Sequence, residues 1–231
     1  MTSTAGPDAP GDLAASGGSG VRMAVAAMRG SGEDTAVDDV AALVEQARGG
    51  SQAAFATLVE RFQPPIRAYL ARLLDDDEHA RDLAQEVFAR AWRKLHELRQ
   101  PEYFRAWVYR IATNQAHSAL RRRRAVRWVS LDRLHSAPLL STPDAEATAP
   151  EQAALRSRES GFEERIARTE MLNRALRAVP VSYRTSLLLY LTHGFSVAEI
   201  AEQLGVSHAA VRSRLSRGLA MLRDAYAREN A

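Results

Sequence analysis

From Val37 onward apolar residues recur at helical spacing. Val40, Leu43, Val44 and Ala47 share one face of a first helix, which Gly49 and Gly50 end, and Ser51 is placed to cap the next. The second carries Phe55, Leu58, Val59 and Phe62, meets Pro64 and Pro65, and resumes with Ile66, Tyr69, Leu70 and Leu73, so a kink or restart is expected at the prolines. An acidic break at residues 75–78 follows. Ala80, Leu83, Ala84, Val87, Phe88, Ala91, Leu95 and Leu98 then make a strong amphipathic stripe. Pro101 closes it. A fourth helix, from about Glu102 to Arg122, turns Phe104, Trp107, Val108, Ile111, Ala112 and Ala119 inward and Arg105, Arg110, Asn114, His117 and Arg121 outward.

The pattern then lapses. Residues 125–165 hold Pro138, Pro143 and Pro150 among Ser, Thr and Ala, which is linker composition. Periodicity returns near Ile166 with Met171, Leu172, Ala175, Leu176 and Val179, and Pro180 separates this helix from one over residues 182–192 that Gly194 ends. No stretch alternates with period two. The expected fold is all-α: two small helical domains, residues 37–124 and 166–231, joined by a flexible linker. Residues 1–36, rich in Gly, Ser, Ala, Thr and Pro, read as a disordered tail.

Composition narrows the chemistry. The 231 residues contain no cysteine, which excludes disulfide scaffolds, thiolate nucleophiles and cysteine-held metals, and no cofactor is expected. No apolar run approaches the length of a membrane helix, and no signal peptide is evident, so no membrane insertion and retention in the cytoplasm are expected. The net charge of +3 conceals segregation: −4 over residues 1–50, +6 over 51–130, −3 over 131–170 and +4 over 171–231. Two basic blocks suit phosphate backbones, although solvated helix faces would look the same.

Local spacing is most informative near the C-terminus. Ser196 can cap a helix whose packing face is Ile200, Ala201 and Leu204, Gly205 supplies a turn with positive φ, and Ser207 caps a second helix pinned by Val211 and Leu215. This is helix-turn-helix spacing. The exposed face of the second helix would present His208, Arg212, Ser213, Ser216 and Arg217 to a major groove. A solvated helical hairpin is the bland alternative.

In the first domain Tyr103, Phe104, Trp107 and Tyr109 are interleaved with Arg105, Arg110, Asn114 and four arginines at 121–124. Exposed rings can stack on single-stranded bases while guanidinium groups follow the backbone, yet Phe104 and Trp107 would serve equally as core. A third patch, Asp82, Gln85, Glu86 and Arg90, lies opposite the apolar stripe of its helix, where solvated i,i+4 pairing would explain it. The contiguous carboxylates at 75–78 lack convergent partners for metal binding or catalysis.

Three blocks in the first domain, residues 58–64, 82–88 and 104–114, and two in the second, residues 180–184 with 194–200 and 211–215, resemble the extracytoplasmic-function group of bacterial sigma-70 factors, the promoter-recognition subunits of RNA polymerase. The first set looks like region 2 and the second like region 4. The resemblance implies a non-enzymatic, cytoplasmic bacterial initiation factor that binds core polymerase and reads minus-10 and minus-35 elements. It implies that Asp82, Gln85 and Glu86 grip the clamp helices of the β′ subunit. Tyr103, Trp107, Arg110, Asn114 and Arg121 would hold single-stranded minus-10 DNA, with an unstacked base near Asn114 and the 98–103 loop. His208, Arg212, Ser213, Ser216 and Arg217 would read the minus-35 element, and an anti-sigma protein is a further implied partner. The rival is a helix-turn-helix regulator that works without core polymerase.

Overall fold

Polar caps set the helix starts. In the computed structural model, which describes residues 37–133 and 156–229 with side chains in 39–125 and 166–229, α1 spans Val37–Arg48 and α2 spans Gln52–Leu74. Ser51 Oγ accepts from the Ala54 amide at 3.2 Å, satisfying an amide that the first turn leaves without a partner. Asp75 closes α2 in the left-handed region at φ 57°. Asp76 then starts α3, Asp77–Lys94, by accepting from the His79 amide at 3.0 Å. The acidic break is thus a pair of helix caps.

Two short 3₁₀ turns, Leu95–Glu97 and Pro101–Tyr103, lead into α4, Phe104–Arg133. The second group begins with α5, Arg156–Ala178, and continues through α6, Val181–Leu187, whose last turn widens into a π-helix over Leu188–Thr192. Then come α7, Val197–Leu204, and α8, His208–Glu229. All described regular structure is helical.

The apolar spacing found the core. Leu58, Phe62, Ile66, Tyr69, Leu70 and Leu73 of α2 pack against Leu83, Ala84, Val87 and Phe88 of α3 and Phe104, Val108 and Ala112 of α4, all buried. Burying side chains of this size contributes about 1.5–3 kcal/mol each before entropy is charged against it. In the second bundle α8 packs on α5, α6 and α7 through Val211, Leu215, Leu219 and Leu222. Gly218 lets α8 approach α6 closely: a Cβ there would lie 3.1 Å from Leu187 Cδ1 and 3.2 Å from Tyr183 Cβ.

Several boundaries differ from expectation. The helix does not restart at Pro64 and Pro65, which lie inside the continuous α2, because flanking turns on both sides are anchored in the same core. Helix α4 runs to Arg133 and α5 begins at Arg156, so helix occupies both flanks of the segment expected as linker. The proposed tail, residues 1–36, and the middle of the linker lie outside the described residues. Trp107 is only partly buried, whereas Phe104 is wholly so. Both bundles are present, and they touch each other.

The turn between α7 and α8 is built as the spacing predicts. Ser196 and Glu199 form a reciprocal capping box, with the Ser196 amide donating to Glu199 Oε2 at 2.8 Å and the Glu199 amide donating to Ser196 Oγ at 3.2 Å. Gly205 takes φ 63° and Ser207 Oγ accepts from the Ala210 amide. Ser196→Ala is expected to lower stability by about 1 kcal/mol; equilibrium urea unfolding of the two chains checks this, and an unchanged midpoint would show that the box contributes nothing.

Candidate nucleic-acid and partner surfaces

Helix α4 arranges its side chains in three sectors. Phe104, Val108, Ala112, Ala116 and Ala119 are buried in the first bundle. Trp107, Arg110, Asn114 and Arg122 line a groove of about 800 Å³ whose opposite wall is Glu86, Arg90, Arg93, Lys94 and Glu97 from α3 and the turn after it. The third sector faces the second bundle. Arg105 donates to the His193 carbonyl and lies over the Phe195 ring at 4.3 Å, Tyr109 Oη is 2.9 Å from His193 Nδ1, and His117 Nε2 is 3.0 Å from Thr185 Oγ1.

This partition corrects the outward face read from the sequence. Arg110 and Asn114 are exposed in the groove, but Arg105 and His117 are half-buried against the other bundle, and Tyr109 is buried. Arg121 points along the surface to Ser118 Oγ at 2.9 Å, while its neighbour Arg122 lines the groove. The groove also gathers cations that the sequence reading did not assign to a strand: Arg90, Arg93 and Lys94, at i, i+3 and i+4 on α3. Their spacing was a usable signal, since it puts all three on the face turned towards α4.

A second pocket, about 480 Å³, adjoins the first through Glu97, Trp107 and Arg110. The loop residues Leu98, Arg99, Gln100 and Tyr103 line one side, and Glu199, Glu202 and Gln203 of α7 line the other. Tyr103 is 52% exposed, as a stacking ring must be. Asp82, Gln85 and Glu86 lie together on the solvent face of α3, one turn apart and opposite the buried Leu83, Ala84 and Val87. Glu86 borders the groove, so this acidic patch and the basic groove share an edge.

On α8, His208, Arg212, Ser216 and Arg217 are exposed and Ser213 is half-buried, with Val211 and Leu215 holding the opposite face in the core. Residues 208, 212 and 216 stack one turn above another, which places them along a single exposed line. None of them borders the groove between α3 and α4. Among the described residues no cluster of His, Asp and Glu could hold a metal ion, and no helix is long and apolar enough to cross a membrane.

Comparison with known proteins gives concordant matches. Residues 58–126 match the family model described as Sigma-70 region 2, and residues 169–222 match Sigma-70, region 4. A probable RNA polymerase sigma factor, RfaY of Xanthomonas campestris, is 34% identical over 77% of this chain, which spans only 42% of that protein. The RNA polymerase sigma-H factor of Pseudomonas aeruginosa is 32% identical over 76% of this chain and 87% of its own length. The extracytoplasmic-function sigma-E factor of Escherichia coli is 30% identical over 76% and 87%. Among solved structures, the sigma factor RpoE bound to the anti-sigma factor NepR from Bartonella quintana superposes with a TM-score of 0.55 at 22% identity, covering 74% of this chain and 95% of that one. CnrH bound to the cytosolic domain of CnrY gives 0.52 at 23%, covering 80% and 96%.

Burial between the bundles holds the His117 imidazole below the ordinary histidine range, and the Arg121 guanidinium on its own helix and that of Arg214 on α8 push it the same way. The folded chain therefore binds fewer protons than the unfolded chain just below about pH 6.5, and stability present above that value is lost as pH falls through the depressed folded pKa. Urea midpoints are expected to be lower at pH 5.5 than at pH 7.5, with the difference reduced in His117→Gln. An equal pH dependence in both chains would assign the effect elsewhere.

Proposed function

The chain belongs to the extracytoplasmic-function subfamily of sigma-70 RNA polymerase sigma factors, non-enzymatic subunits that bind core polymerase and direct promoter recognition, and from that premise we propose how its surfaces divide the work. The acidic face of α3, Asp82, Gln85 and Glu86, docks on the β′ clamp helices. The groove between α3 and α4 takes the non-template strand of the minus-10 element. The exposed line on α8 enters the major groove at minus-35.

The observation that carries this reading is the basic groove with an aromatic wall. Arg90, Arg93, Lys94, Arg110 and Arg122 line a trough together with Trp107, and Tyr103 lines the adjoining pocket. Cations spaced along one trough follow a phosphate backbone without reading it, while a ring accepts any base by stacking at about 1–3 kcal/mol. Asn114 adds an amide able to hydrogen-bond the edge of a base leaving the duplex. Strand opening then follows from capture: every unstacked base held here is removed from the competing duplex. Polymerase makes the bonds.

On α8, Arg212 and Arg217 supply bidentate donors suited to guanine edges, and His208, Ser213 and Ser216 complete the contact. The two contacts are individually moderate, and joining them through one polymerase raises their effective concentration. An inhibitory anti-sigma protein is the further partner; the two solved relatives are each bound to another protein.

Run-off transcription with purified core polymerase on genomic fragments tests the reading, and specific transcripts are expected only when the chain is added. Asp82→Arg is expected to weaken core binding at least tenfold while leaving duplex binding by α8 unchanged. A chain that binds promoter duplex but neither wild type nor variant retains core polymerase would favour the stand-alone regulator. Arg212→Ala and Arg217→Ala are each expected to remove about 1–3 kcal/mol of sequence discrimination at minus-35, measured by competition between matched and mismatched duplexes.

A further inference from the structure

A buried amide without a partner marks a further site. Gln203 is 7% exposed, yet neither its Oε1 nor its Nε2 has a hydrogen-bond partner among the described residues. Burying both polar groups of an amide unpaired is unfavourable, and an apolar side chain of similar size would pack there without that penalty. Packing therefore does not account for a glutamine. Gln203 lies on α7 one turn after Glu199 and next to Glu202, and all three line the pocket of about 480 Å³ that Tyr103, Trp107 and Arg110 border from the first bundle.

The pocket is composite. The first bundle supplies two rings, Tyr103 and Trp107, and two cations, Arg99 and Arg110, while the second supplies the Gln203 amide and the Glu202 carboxylate. Arg99, Tyr103, Arg110 and Glu202 are exposed, so each is able to turn to a ligand. Glu199 is already committed, because its Oε2 accepts from the Ser196 amide and from Ser196 Oγ, both at 2.8 Å. Rings beside a few convergent polar groups, in a volume of about 300–1,000 Å³, are the usual make-up of a small-molecule site.

The groups present specify a ligand class. A glutamine amide is satisfied by a planar edge that sets a donor beside an acceptor, and the N6 amino group and N7 of adenine form such an edge. Guanine presents two acceptors, N7 and O6, at the same place. The rings of Tyr103 and Trp107 suit the face of a base, the guanidinium groups suit a phosphate, and an exposed carboxylate suits ribose hydroxyls. The pocket meets the basic groove along Glu97, Trp107 and Arg110, so a phosphate at that border lies beside a cation. Carboxylates at 97, 199 and 202 outnumber the guanidinium groups at 99 and 110, which favours a monophosphate over a polyphosphate.

We propose that this pocket binds a free adenine mononucleotide: Gln203 pairs with the N6 and N7 edge, Tyr103 and Trp107 flank the base, Glu202 accepts from the ribose, and Arg99 and Arg110 take the phosphate. The site needs residues of both bundles, and it is independent of the assignment of the neighbouring groove to a DNA strand. A mononucleotide fits better than a base within a longer strand. The second bundle walls the pocket opposite the first, and the border with the basic groove accommodates one phosphate-bearing end.

Isothermal titration calorimetry of the full-length chain with AMP tests the site. Saturable binding is expected, at least fivefold tighter than that of GMP, which lacks the donor and acceptor edge, or of adenosine, which lacks the phosphate. Q203L is expected to weaken AMP binding at least tenfold while raising the urea midpoint, because it leaves no amide unpaired. Y103A, which alters an exposed ring, is expected to weaken AMP at least threefold with an unchanged midpoint. No saturable binding with AMP at about 1 mM overturns the site. Equal AMP affinity in wild type and Q203L overturns it too, and equal affinity for AMP and GMP overturns the reading of the base. A short oligodeoxyadenylate titrated in parallel separates the two sources of adenine: a loss in Q203L as large as that for AMP would mean that the amide reads a strand, and the free-nucleotide proposal fails.

Discussion

One buried guanidinium ties the described molecule together. Arg184 places its fork where the C-terminal carbonyls of α2 and α5 converge, and both helix ends would otherwise bury acceptors without donors. Its Nε and Nη2 reach the Val179 carbonyl at 3.2 and 3.1 Å, so the same side chain fixes the turn into α6. A cation at a helix C-terminus is also favoured by the aligned peptide dipoles, here twice over. Burial lowers the guanidinium pKa and the Asp75 charge opposes that shift; an arginine stays charged in either case. Lysine could not substitute, because one ammonium lacks the planar fork that serves two helices.

That constraint decides what α4 can do. At about 100° per residue, Arg105, Tyr109 and His117 drift slowly around the helix on the side that meets α6, the π turn and the segment up to Phe195. Trp107, Arg110 and Asn114 occupy a neighbouring sector that meets α3, and Phe104, Val108 and Ala112 complete the circle against α2. Each sector faces different surroundings: a second bundle, an open groove and a core. A helix so divided has no single apolar stripe with one polar face behind it. Its surface is polar in two directions for two different reasons.

The same division explains what could be read in advance. Where one face is buried and the other is solvated, as in α3, periodicity named the core residues correctly, and Asp82, Gln85 and Glu86 fell on the exposed side. The caps and the Gly205 turn were legible because each depends on residues within four positions of one another. On α4 the reading merged two sectors, since Arg105, Arg110, Asn114, His117 and Arg121 are all polar and a period of 3.6 cannot say which polar face meets protein. Arg184 was legible only as part of a family motif; its donors reach carbonyls more than a hundred residues away. Prolines 64 and 65 do not restart the helix for a related reason, because the long-range packing of α2 outweighs a local preference for breaking.

Charge completes the argument about function. A basic surface left open in a free protein adheres to any nucleic acid through counter-ion release. The second bundle segregates its charges by helix. Helix α7 contributes carboxylates at 199 and 202 while α8, beyond a single turn, contributes arginines at 212 and 217. One helix-turn-helix thus presents opposite signs on its two helices: the acidic one borders the pocket beside Tyr103 and Arg110, and the basic one faces solvent.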